Sequence, residues 1–138
     1  MNIGKIVAVV GMAVAGSIAA APSTAHHSFG RYDMTKTSGI EGAVRKFEWS
    51  NPHCWLFVDV ASADGASVTY GFEMQSVGEM MRRGWKKTSV KPGDKVKVSF
   101  RPLRDGAPAG LITSVNDADD KPIGVWTRAT DAESPPAE

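Results

Sequence analysis

The 138-residue chain carries 16 lysines and arginines against 15 acidic residues, with 42% of its positions hydrophobic and 22% charged. That length can build one modest hydrophobic core and not two. A formal net charge of +1 supplies no field strong enough to hold a polyanion, which argues against nucleic acid as a partner.

The chain opens "MNIGKIVAVVGMAVAGSIAAAPSTA", with one early lysine, Lys5, an apolar and small-residue run from Ile6 to Ala21, and no acid. A short positive region, an apolar stretch and small residues before a cut are the layout of a secretory signal peptide. The run is too short and too rich in glycine and alanine for a good membrane span. An uncleaved anchor is the alternative. Cutting after Ala21 would set Pro22 against the scissile bond, so Ser23-Thr24-Ala25 is the better site and residues 1–25 are expected to be removed. The product is expected to be periplasmic or secreted, without a membrane span, and to begin at His26. Losing Lys5 leaves 15 basic residues against 15 acidic ones. The single cysteine, Cys54, cannot form an internal disulfide, so in an oxidising compartment it is expected to be buried or paired with another molecule.

Past the leader, turn signals recur at short intervals: Ser38-Gly39, Asn51-Pro52, Asp64-Gly65, Pro92-Gly93-Asp94 and Asp105-Gly106. The stretches between them are rich in β-branched and aromatic residues, which predicts strands over residues 40–48, 54–61, 67–75, 95–101 and 109–116. One segment breaks the pattern. "SVGEMMRRGW" starts on Ser76, a helix cap, places Glu79 three residues on, and ends at Gly84, which accepts the left-handed conformation that stops a helix. Five strands with one short helix between the third and fourth is the order of an oligonucleotide/oligosaccharide-binding (OB) type barrel, closed to remove exposed edges. An open sandwich of similar size is the alternative. The mainly β, OB-like domain is expected to span residues 26–124. Residues 125–138, acidic and then rich in proline and alanine, read as a flexible tail.

Alternation assigns faces, because neighbouring side chains on a strand point to opposite sides. In "HCWLFVDV", Cys54, Leu56, Val58 and Val60 form an apolar face, and His53, Trp55, Phe57 and Asp59 the other. In "SVTYGFEMQ", Val68, Tyr70, Phe72 and Met74 form the apolar face, while Glu73 and Gln75 point away. Val77, Met80 and Met81 fall at helical spacing and read as core packing rather than as a thioether copper(I) site.

The start "HHSF", the "FEWSNPH" after the first strand, the "RRGW" at the helix end and the "KPGDKV" before the fourth strand together resemble a family of small exported bacterial proteins known only as a domain of unknown function. The resemblance runs from His26 to about Gly124. It implies export and a small β domain, and it supplies no activity.

The three histidines carry the strongest chemistry. An N-terminal histidine chelates through its α-amine and ring nitrogen together, and a second imidazole completes a site of the histidine-brace kind, which suits copper(II). His26 and His53 are the candidate ligands, Pro52 stiffening the approach to His53. His27 competes with His26, since adjacent residues on an extended segment diverge. Met34, Asp33 or Glu48 is available as a weak outer ligand. A closed structural zinc site would need four protein ligands, which this set does not obviously provide. The blander reading is that the histidine pair suits the signal peptidase and that "NPH" is a turn.

A second class of function is binding of a periplasmic protein or small molecule on the outer barrel face. Trp55, Phe57, Asp59, Trp49 and Glu48 are its candidate residues, with Trp85, Trp126 and the basic residues Arg45, Lys46, Arg82, Arg83, Lys86 and Lys87 nearby in sequence. At least two of the tryptophans are expected in the core, and the basic run also complements a helix C-terminus. Catalysis is the weakest class. Ser28 beside His27 has no nucleophile elbow around it, and Glu48 with Glu73 forms a carboxylate pair of unread separation.

Overall fold

The computed structural model describes residues 29–126. A single 3-10 turn, Phe29–Arg31, leads into β1 (Ser38–Glu48), β2 (Trp55–Ala61), β3 (Ser67–Glu73), α1 (Val77–Arg82), β4 (Lys95–Pro102) and β5 (Ala109–Asp117). The strands close into a barrel in the order β1-β2-β3-β5-β4, with β4 returning to pair with β1. The closed five-stranded barrel with one short helix between strands three and four is the architecture expected from the sequence, and the sandwich alternative falls. Among the described residues no helix is long and apolar enough to cross a membrane.

β1 makes closure possible because its 11 residues serve two partners. Ser38 to Ala43 pair with β4, and Ala43 to Glu48 pair with β2. The changeover requires Gly42, where a methyl would collide with the Asp59 carbonyl oxygen and stand 2.8 Å from Val58 Cγ1. A register shift between Val44 and Lys46 follows at once, the bulge bending the strand around the barrel. β3 and β5 form the parallel pair, Gly71 opposite Ala109 and Glu73 opposite Leu111.

Leu56, Val58, Phe72, Met74, Val96, Val98, Phe100, Ile112 and Val115 fill the barrel, joined by Met80, Trp85 and Val90 from α1 and the loop after it. The helix ends as its sequence predicts. Ser76 Oγ accepts from the Glu79 N–H at 3.3 Å, and Gly84, at φ +80°, turns the chain. The Trp85 N–H then reaches the Met80 carbonyl at 2.9 Å and the Gly84 N–H the Met81 carbonyl at 3.0 Å. This Schellman arrangement drops the Trp85 indole into the core, almost fully buried.

Two face expectations fail. Met81 is 63% exposed while its neighbour Met80 is fully buried, because successive helical residues lie about 100° apart and a helix this short has one buried stripe. Val68 is exposed as well, since it pairs with Val60 beside the Asp64-Gly65 turn, beyond the reach of the core. Cys54 is fully buried in the hydrophobic core, and burial pushes its thiol up from the usual range. Of the two outcomes expected for it, burial is the one found.

Candidate functional site

The site is built from the loop before β2. The Asn51–Pro52 peptide is cis, and Asn51 Oδ1 accepts from the Val77 N–H at 3.0 Å, tying the loop to the first turn of α1. Beyond the loop the Cys54 N–H reaches the Gln75 carbonyl at 2.9 Å and the Met74 N–H the Cys54 carbonyl at 3.0 Å. His53 is therefore held from both sides, on the outer face of the β2–β3 pair.

Its imidazole Nδ1 lies 2.8 Å from the Met74 carbonyl oxygen and 3.1 Å from Glu73 Oε1. Both neighbours are acceptors, so Nδ1 carries a proton, and in the neutral ring Nε2 is the basic nitrogen. The other carboxylate oxygen, Glu73 Oε2, accepts from the Tyr32 hydroxyl. Tyr32 is buried, 4% exposed, and its phenol is pushed above the usual tyrosine range, first by burial and then by the bond to the Glu73 carboxylate and the charge of that group. It remains a proton donor throughout the physiological range. Arg31 sits 5.5 Å over the Tyr32 ring.

Trp55 stands between two carboxylates, opposite Glu48 on β1 and Glu73 on β3. Its indole stacks on Phe57 at 6.2 Å between centroids, 19° from parallel. Gly71, opposite Phe57, leaves space for that ring, whose Cε1 is 3.4 Å from where a methyl on Gly71 would be. Around His53 and Trp55 opens a cleft of about 360 Å³, bounded also by Arg31, Glu48, Asn51 and Glu73. One guanidinium and two carboxylates line it, and one of those carboxylates, Glu48, is paired with Lys46 Nζ at 2.5 Å.

The structure thus gathers His53, Trp55 and Glu48, with Phe57 as the next ring along. Asp59 lies further down the strand, bonded to the Thr69 hydroxyl at 2.6 Å and to Arg45 at 3.1 Å. Trp49 turns inward, edge-on to Phe47 at 5.7 Å and packed against the core. Asp33 accepts from the Thr35 hydroxyl at 2.6 Å and faces Lys36 at 3.3 Å, which holds its carboxyl below the usual range, the threonine bond most of all. Neither it nor Met34 borders the cleft. His26 and His27 lie outside the described residues. Among the described residues no three His, Cys, Asp or Glu side chains are grouped to hold a metal ion.

Several of the basic residues have carboxylate partners, Arg45 with Asp59 and Lys46 with Glu48. Arg82 pairs with Glu79. Arg83 Nη1 donates to the carbonyls of Val125 at 3.3 Å and Trp126 at 3.0 Å, and its guanidinium lies 5.9 Å over the Trp126 ring. The sequence reading missed Tyr32 and Arg31 altogether and assigned Glu73 only to a carboxylate pair. Alternation put Glu73 on the face of His53 and Trp55, but the β2–β3 register that makes it their neighbour is a tertiary fact.

These features define a small closed β-barrel with a polar cleft at one end of its outer face. The chain belongs to the family of unknown function DUF6152, whose model matches residues 14–114. Comparison with curated proteins and with solved structures finds no match.

Proposed function

We propose that the protein is an exported, OB-like binding protein that takes copper(II) in this cleft, through His53 and the α-amine and ring of an N-terminal His26 left by cleavage after Ala25, with His27 as the competing ligand. The observation that carries the reading is the His53 ring. A metal-ligating imidazole characteristically donates its second N–H to a carbonyl or carboxylate, which fixes the ring and raises its basicity. His53 Nδ1 meets both a carbonyl and a carboxylate. The Glu73 carboxylate beside the ring favours a cation. Arg31 borders the same cleft, and His26 is five residues earlier, a reach of up to about 16–18 Å at full extension.

Copper(II) titration of the chain beginning at His26, followed by electron paramagnetic resonance, tests this beside a chain with one extra residue before His26. One-to-one binding that the extension abolishes, that His53→Ala weakens, and that Cys54→Ala spares is the expected result. Binding indifferent to both the extension and His53→Ala sinks the copper site. The second reading is a small molecule or partner stacked on the outer face. Trp55 and Phe57, already stacked within 19° of parallel and partly exposed, support it, and Trp55→Ala would then abolish ligand binding while the fold persists.

A further inference from the structure

We infer that Glu73 is the positioning residue of the cleft, a single carboxylate that fixes the imidazole of His53 relative to the point where the N-terminal chain joins the barrel. This rests on the copper reading for its purpose, and on geometry alone for its existence. The two oxygens of Glu73 serve two parts of the molecule. Oε1 meets His53 Nδ1 at 3.1 Å, 20 residues away in sequence and beside the Met74 carbonyl at 2.8 Å, and Oε2 accepts a hydrogen bond from the Tyr32 hydroxyl, 41 residues away.

Tyr32 is where the incoming chain is fastened. It bridges to Leu103, the Asp33 N–H reaches the Pro102 carbonyl at 2.8 Å, and the Arg104 N–H reaches the Arg31 carbonyl at 3.0 Å. Those backbone bonds set the height of the chain against the loop between β4 and β5. The Tyr32 hydroxyl sets it relative to His53, through Glu73. A site that takes one ligand from β2 and others from the N-terminus needs such a strut, because chelation depends on both halves being held near the bound geometry before the ion arrives.

Glutamine in place of Glu73 keeps the volume and removes one acceptor. Its single amide oxygen can accept from only one of the two, so the amide nitrogen either faces the His53 Nδ1–H as a second donor or donates to the Tyr32 oxygen and reverses that bond. Phenylalanine in place of Tyr32 removes the side-chain tie between the incoming chain and Glu73 and leaves the His53–Glu73 contact intact.

The test uses the full chain, expressed with its own leader and purified after export. Copper(II) titration, paramagnetic resonance and metal-free amide hydrogen exchange are run on the wild type, Glu73→Gln and Tyr32→Phe. Glu73→Gln is expected to weaken copper binding about 10- to 100-fold, the usual effect of losing a group that orients a metal ligand, and to alter the resonance of what still binds. Tyr32→Phe is expected to weaken binding while leaving that resonance as in the wild type. In the metal-free protein both substitutions should speed exchange at the Asp33 and Arg104 amides and spare those of β1 and β2. Unchanged copper affinity and resonance in Glu73→Gln would overturn the inference, as would faster exchange throughout the barrel, which makes Glu73 merely structural. Failure of the wild type to bind copper sinks the metal reading alone. The exchange rates then decide the strut, and unchanged Asp33 and Arg104 amides overturn it.

Discussion

Tyr32 shows how much one hydroxyl does here. It is buried, its proton is committed to Glu73, and its phenol is held above the usual range. The folded state therefore binds that proton more tightly than the unfolded chain does. The stabilisation is complete below the unfolded tyrosine range, near pH 10, and is lost as the pH rises through and beyond it. Cys54, its thiol also raised by burial, adds an earlier loss from about pH 8.5. Tyr32→Phe removes the first contribution and leaves the second. At pH 7 the variant is expected to lose about 1.5–2 kcal/mol, the worth of a hydrogen bond to a charged group. Between pH 9 and 11 its stability should fall less steeply than that of the wild type. Urea unfolding across that interval measures both, and parallel slopes would show that the buried phenol has no part in the alkaline loss.

At the scale of the elements, local chemistry was readable and strand partnership was not. Alternation in "HCWLFVDV" and the Ser76…Gly84 punctuation of α1 act within a few residues, so strands and helix fall where the sequence puts them, to within a few residues at their ends. Register is different, because it is set by which strands meet. Among the glycines inside strands, Gly42 and Gly71 have nothing local to distinguish them. In the barrel they are opposites. A methyl on Gly42 strikes the backbone of Asp59, which cannot move aside, whereas a methyl on Gly71 rests at ordinary contact distance, 3.4 Å, from the Phe57 ring. Gly42→Ala is expected to cost about 3 kcal/mol, at the upper end of overpacking. Gly71→Ala should be neutral or stabilising by up to about 1 kcal/mol, since alanine loses less backbone entropy on folding. Chemical denaturation of the two variants compares them directly, and equal losses would mean that β1 does not change partners at Gly42.

At the scale of the whole molecule, the cleft was half legible. His53, Trp55 and Glu48 are named by residue type and face, but the Glu73 and Tyr32 contacts that organise them join chain segments 20 and 41 residues apart. The β2–β3 pairing brings the first together and the bridge of Tyr32 to Leu103 the second. The same holds at the C-terminal end. Composition marks a tail from residue 125, and the structure packs the chain up to Trp126. The Val125 N–H reaches the Arg83 carbonyl at 2.8 Å, Trp126 Nε1 donates to the Ile123 carbonyl at 2.9 Å, and the Trp126 ring stands edge-on to Trp85 at 5.7 Å. Trp126 thus covers the tryptophan that α1 delivers to the core, and Arg83 fastens it there. Ending the chain after Gly124 should cost about 2 kcal/mol, roughly half the 3–5 kcal/mol of losing a fully buried tryptophan. For a domain of this size that lowers the melting temperature by roughly 10 °C. Ending it after Ser134 should leave the melting temperature where it is. Calorimetry of the two truncations beside the full chain separates the packed residues from the tail, and equal melting temperatures would show that Trp126 contributes nothing to the fold.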